Sequence, residues 1–106
     1  MINYKKKIAA CPVEKTLNII GKKWAILIVR DLLSGTKRFG ELLRSLTGIS
    51  PRTLSARLNE LEKCAIIKKK IYPEVPPRTE YSLTKNGNEL KLILEQMGKW
   101  GTKHKK

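Results

Sequence analysis

The sequence predicts a mainly helical domain with one small β-hairpin, an α+β arrangement. Three observations carry that expectation. Apolar residues recur at helical spacing in several stretches, each punctuated by Gly, Ser or Pro. One pair of short runs, IIKKKIY at 66–72 and TEYSL at 79–83, flanks a proline-rich segment. No apolar run reaches the roughly 18 residues needed to span a bilayer, and no charged n-region with an apolar h-region opens the chain, so a cytoplasmic location is expected.

Residues 1–10 read as a flexible basic arm carrying Lys5, Lys6 and Lys7. Pro12 then reads as the first residue of a helix in which Leu17 and Ile20 continue an apolar face, and Gly21 suits a left-handed C-cap. Segment 24–33, WAILIVRDLL, is apolar nearly all round except at Arg30 and Asp31, which predicts a helix buried at the centre. Ser34-Gly35-Thr36 stops it. Lys37-Arg38-Phe39 reads as a short extended or turn segment, and Gly40 leads into a short amphipathic helix over 41–46. After Gly48, Ser50 is a good N-cap and Pro51 fits the first helical position, so a helix begins there. Leu54, Leu58 and Leu61 form its apolar stripe, while Arg52, Ala56, Asn59 and Lys63 point away. Two helices joined by a tight glycine-containing turn, the second with a polar outward face, make a helix-turn-helix unit.

The runs at 66–72 and 79–83 should pair as a hairpin, with Ile67, Lys69 and Ile71 on one face and Lys68, Lys70 and Tyr72 on the other. Its tip, Pro73-Glu74-Val75-Pro76-Pro77-Arg78, is stiffened by three prolines. A hairpin directly after a helix-turn-helix is a wing, which makes the predicted architecture a winged helix-turn-helix. Thr84 should cap one final helix, in which Leu90, Ile93, Leu94, Met97 and Trp100 line a stripe longer than a single core needs. A homodimer interface explains that surplus, and a chain of this size gains from a partner. The expected organisation is an arm at 1–10, a domain at 11–101 with a dimerisation helix at 84–100, and a disordered basic tail at 102–106.

Lys and Arg total 23 against nine Asp and Glu, a formal net charge of +14. A polyanion is the economical partner, and double-stranded DNA ranks ahead of a membrane surface because no basic amphipathic helix stands out. Two cysteines, Cys11 and Cys64, exclude a disulfide scaffold and any recognisable zinc spacing. No cofactor is expected. With one histidine, His104, and no paired-carboxylate site or phosphate-cradling glycine loop, no enzyme reading stands. Asp31 and Glu41 read as surface or capping charges.

The polar face near the start of helix 51–63 offers a fork donor, hydroxyls and one small residue, which suits the floor of a major groove. Arg52, Thr53, Ser55 and Ala56 are expected at base edges, Asn59 at the margin and Ser50 on a phosphate. Arg57 lies nearer the core flank, where a phosphate contact or a structural ion pair are both open. Arg78, on a stiff base, should enter the minor groove or clamp a phosphate, Lys69 with Lys68 and Lys70 should add sequence-independent attraction, and Arg38 should touch the DNA backbone. Two other readings fit the charge or the fold: an architectural protein coating DNA, for which Val75 is the only candidate wedge, and a protein-interaction module.

Four blocks, CPVEKTLNIIGKKW, FGELLRSLTGISPRTLSARLNELE, VPPRTEYSLTKNG and the closing KWG, resemble in order and spacing the HxlR family of winged helix-turn-helix regulators, relatives of the MarR group. The resemblance covers 11–101. It implies a homodimer joined by the first and last helices, at 11–21 and 84–100, with helix 51–63 in a major groove and the hairpin tip over the adjacent minor groove or backbone. It also implies a sensor role for Cys11, whose position matches the thiol through which several members sense oxidants or electrophiles; the effector of this chain is unknown. Independently, Cys11 stands at a helix N-cap, where the dipole favours a thiolate, while Glu14 opposes it. The chain departs from the family at Ala65, where relatives usually carry Gly: a left-handed backbone there would cost about 1 kcal/mol. Cys64 is expected to be a small packed residue.

Overall fold

Three leucines anchor the molecule. Leu54, Leu58 and Leu61 lie fully buried on one side of a thirteen-residue helix, at the spacing that brings i, i+4 and i+7 onto one face. The computed structural model describes residues 11–104; the arm at 1–10 and the last two residues lie outside the described residues. Within them the chain runs α1 (Pro12–Ile20), α2 (Lys23–Leu32), β1 (Lys37–Arg38), α3 (Phe39–Ser45), α4 (Pro51–Lys63), β2 (Ile67–Tyr72), β3 (Arg78–Leu83), α5 (Lys85–Asn88) and α6 (Lys91–Lys103). The core gathers Ala25, Ile28, Val29 and Leu32 of α2, Leu42 and Leu46 of the α3 segment, the α4 leucines, and Ile67, Tyr81 and Leu83 of the sheet. Helix α2 is the central helix that its nearly uniform apolarity predicts.

Helix α4 starts where its cap residues place it. The Ser50 hydroxyl accepts from the Thr53 backbone N–H at 3.1 Å, and Pro51 occupies the first turn. Its far end is closed by two bonds: the Ala65 N–H donates to the Glu62 carbonyl and the Ile66 N–H to the Leu61 carbonyl, at 3.0 and 2.9 Å. That pattern needs a left-handed residue between them, and Ala65 supplies it at φ 60°. The departure foreseen at Ala65 is therefore a strained turn. Thr84 pins the same turn, donating its hydroxyl to the Ala65 and Ile66 carbonyls while accepting from the Gly87 N–H at 3.1 Å. A Cβ at Gly87 would run into the Ile66 carbonyl, so only glycine lets α5 approach this closely.

Several expectations are corrected. Gly21 is right-handed, at φ −72° and ψ −12°; its glycine identity serves close approach, because a Cβ would meet the Leu17 carbonyl. Helix α3 begins at Phe39, two residues before the expected start, with the Glu41 carboxylate accepting from the Arg38 N–H at 2.8 Å. The segment at 37–38 is a strand: β1 pairs antiparallel with β3, giving a sheet of order β1-β3-β2 where a lone hairpin was expected. Strand β2 pairs with β3 from Ile67 opposite Leu83 to Tyr72 opposite Arg78. Ile67 is buried but Ile71, on the same face, is exposed because the strand runs past the end of the core.

The final helix divides. Thr84 caps α5, and α6 follows after Glu89 and Leu90, which stay right-handed with tightened bonds from Leu90 N–H to the Gly87 carbonyl and from Glu89 N–H to the Asn86 carbonyl. Helix α6 then continues through Lys103, so the expected tail at 102–106 is helical over its first two residues. The predicted dimer stripe also splits. Leu90 and Leu94 pack on the chain's own core and Ile20 is buried within it, whereas Leu17, Ile93, Met97 and Trp100 are exposed. Cys64, expected to be packed, is exposed, because the turn at the end of α4 faces outward.

Candidate nucleic-acid interface

On the side of α4 away from the leucines, Arg52, Ser55 and Asn59 are exposed, and Thr53 and Ala56 are half-buried between them. Arg52 joins none of the ion pairs among the described residues. Ser50 is exposed, but its hydroxyl is engaged, accepting from the Thr53 N–H and donating to Thr53 Oγ1 at 3.0 Å. The first turn of α4 is therefore fixed by its own cap, which holds Arg52 and Ser55 on a rigid element rather than a loop. A row with a guanidinium fork, a hydroxyl, a methyl and an amide can pair with the edges of bases in a major groove.

Arg57 does not join that row. Its side chain is only 19% exposed and pairs with Glu60 Oε1 at 3.3 Å. Glu60 also takes Lys22 Nζ at 3.3 Å, so Arg57 belongs to a group tying α4 to the start of α2, the structural alternative of the two left open. Asp31 is likewise not a surface charge: its half-buried carboxylate accepts from the Ser45 hydroxyl at 2.6 Å and pairs with Arg30, joining α2 to α3.

The wing carries basic groups in two settings. Lys68, Lys69 and Lys70 are exposed along β2, and Arg38 is exposed at the head of α3. Arg78, by contrast, does not reach out from the tip. It starts β3 opposite Tyr72, stacks its guanidinium 4.0 Å over the Tyr72 ring, and pairs with Glu74 Oε2 at 3.2 Å, leaving its side chain 26% exposed. The reason is register: a five-residue loop puts Tyr72 and Arg78 side by side, and Glu80 two residues on shares the face of Arg78. Glu74, Glu80 and Tyr72 are the residues that sequence reasoning missed. The signal is the hairpin register, in which Tyr72 stands opposite Arg78. Between the wing loop and the α3 start lies a groove of about 390 Å³ bordered by Arg38, Phe39, Gly40 and residues 74–79.

Cys11 is the N-cap of α1, half-exposed, and its side chain makes no capping hydrogen bond; its carbonyl accepts from the Lys15 N–H at 3.1 Å. On the same helix, Leu17 borders an apolar groove of about 430 Å³ with Val13, Ile20, Ile26, Ile93 and Met97. No group of metal-ligating residues exists among the described residues, and no described helix is long and apolar enough to cross a membrane.

The family description "HxlR-like helix-turn-helix" matches residues 19–106. The chain is 45% identical over 92 residues to the HTH-type transcriptional regulator sll1512 of Synechocystis, covering 87% of this chain and 68% of that protein. Among solved structures, a MarR-family regulator from Porphyromonas gingivalis superposes with TM-score 0.85 at 42% identity, covering 89% of this chain and 92% of that one. The oxidised redox regulator HypR superposes with TM-score 0.84 at 42% identity, covering 91% and 99%. With a winged helix-turn-helix whose polar helix face is free, and relatives that are regulators rather than enzymes, the chain belongs to the HxlR family of MarR-like helix-turn-helix transcriptional regulators.

Proposed function

We propose that this regulator binds double-stranded DNA sequence-specifically as a homodimer on a pseudo-palindromic operator, in the cytoplasm. The outward row of α4 carries the reading: Arg52, Ser55 and Asn59 are presented on a capped helix, and Arg52 has no internal ion pair among the described residues. The formal charge of +14 supports it through attraction to phosphates. Arg52, Thr53, Ser55 and Ala56 read bases with Asn59 at the edge, while Arg38 and Lys69 contact the backbone. The homodimer rests on Leu17, Ile93, Met97 and Trp100, which are 55%, 42%, 50% and 66% exposed on α1 and α6.

Selection of bound duplexes from a random pool tests the whole reading. A palindromic consensus is expected, and a recovered pool without consensus would overturn specificity. Arg52→Ala should weaken the selected duplex by about 1 to 3 kcal/mol and relax its preference. An equal loss on random duplex would remove Arg52 from base reading.

A thiol response through Cys11 is part of the proposal. Its support is the half-exposed position of Cys11 at the head of α1 and the similarity to HypR, a redox regulator. Modification there would tilt α1 and change half-site spacing. Affinity for the selected duplex should change on treatment with a thiol-reactive quinone in the wild type and not in Cys11→Ser; identical responses would remove Cys11. One observation favours architectural binding as a second reading: Val75 stands fully exposed at the wing tip, as an apolar wedge would. Salt titration of selected and random duplex side by side separates the two.

A further inference from the structure

We propose that Arg78 is a positioning residue, a latch that sets the angle of the wing tip and does not neutralise a phosphate; this rests on the DNA-binding reading. The tip, Pro73 to Pro77, has little backbone bonding with which to hold itself, since three of its five residues lack an N–H. One backbone bond within it is formed, from the Glu74 N–H to the Tyr72 carbonyl at 2.8 Å. Side chains supply the rest. Glu74 from the loop, Tyr72 from β2 and Glu80 from β3 converge on the Arg78 guanidinium: Nη2 meets Glu74 Oε2 at 3.2 Å, Nε lies 3.4 Å from Glu80 Oε2, and the plane stacks on Tyr72 at 4.0 Å. Nε is buried without a hydrogen-bond partner, so the guanidinium is held by its two ion pairs and the ring rather than by hydrogen bonds.

The charge count points the same way. The Arg78 guanidinium faces two carboxylates, Glu74 and Glu80, so its charge is engaged inside the wing, while Lys70 and Arg38, both opposite Glu80 in register, keep the surroundings basic. The cations left to grip phosphate are the exposed ones around it, Arg38 and Lys68 to Lys70. What the latch presents to a duplex is the stiff tip with Val75 outward, at a fixed distance from the row on α4. Recognition by the wing tip then depends on groove shape, with charge supplied by the lysines along β2.

The test uses the full chain, the duplex recovered by selection and a scrambled duplex, titrated across a salt series. Arg78→Lys keeps the charge but loses the fork and the flat stacking surface. Both Arg78→Lys and Arg78→Ala should weaken the selected duplex about tenfold, as loss of the paired, stacked guanidinium implies, with the salt slope and the scrambled duplex unchanged. Glu74→Gln should weaken it in the same direction. Wild-type affinity in Arg78→Lys, a salt slope reduced by about one in Arg78→Ala, or tighter binding in Glu74→Gln would each overturn the latch and return Arg78 to the phosphates. A DNA-free readout separates the two levels: the Arg78 side-chain protons should resonate upfield under the Tyr72 ring and lose that shift in Tyr72→Leu. A wild type that shows the shift but binds no duplex sinks the functional reading alone; a wild type without the shift sinks the latch.

Discussion

Helices α4 and α6 are both thirteen residues long and both amphipathic, yet α4 buries Leu54, Leu58 and Leu61 and α6 buries nothing. The difference teaches what helical periodicity does and does not say. It states which side chains share a face, and it is silent on what covers that face. On α4 the cover comes from α2 and the sheet of the same chain, and the polar side is left for a partner. At α6 the inner edge, Leu94 with Leu90 just before the helix, meets the core, while Leu92, Ile93, Met97 and Trp100 face outward, uncovered by the described residues.

The sharpest way to break the comparison is to truncate one leucine from each helix. Leu58→Ala should lower the unfolding free energy by about 2 to 5 kcal/mol in denaturant titration, whereas Leu92→Ala, at a dilution that keeps protomers apart, should stay within about 0.5 kcal/mol. Equal losses would mean that α6 is covered inside its own chain. Next in size is assembly. Met97→Glu should shift sedimentation from dimer to monomer, since a carboxylate in an apolar seam must be desolvated, and an unchanged sedimentation coefficient would leave the outward stripe of α6 facing solvent.

A smaller effect sharpens the account of how α4 ends. Ala65→Gly should raise stability by up to about 1 kcal/mol, because Ala65 sits at φ 60°; no gain would mean that the turn tolerates a side chain without strain. The smallest concerns the sheet beneath α4. Burial, with the Glu62 carboxylate adding to it, pushes the Tyr81 phenol above its ordinary 10.0. Its contribution is intact below pH 10 and is lost as pH rises through the higher folded value, since the unfolded chain releases that proton first. Thermal unfolding above pH 10 should therefore fall off less steeply in Tyr81→Phe; identical slopes would exclude Tyr81 as the source.

What could be read from the letters follows the same division. Ser50, Pro51 and the three leucines act within one helix, so α4 is legible to the residue, whereas the turn at Ala65, reshaped or left-handed, is open until its φ of 60° is seen. The fate of Arg78 was not, because Glu74, Tyr72 and Glu80 reach it only once the hairpin register is set. Cys64 was placed inside on composition, and the outward direction of its turn overruled that. The close approach of α5 to the turn after α4 needs glycine at 87 against the Ile66 carbonyl, a contact between segments about twenty positions apart that no local pattern encodes. Of the α4 row, the exposure of Arg52, Ser55 and Asn59 was legible from periodicity; that Arg57 would turn to Glu60 was left open between two outcomes.

At the turn after α4, one threonine hydroxyl grips the carbonyls of Ala65 and Ile66 while its oxygen receives the Gly87 amide from the first turn of the next helix. Three segments thereby meet at a single point, which ties α4 to the hairpin that follows it. In the proposed homodimer each protomer would then be a gauge of set width, and variants that retune site length should map to α1 and α6 and spare this joint.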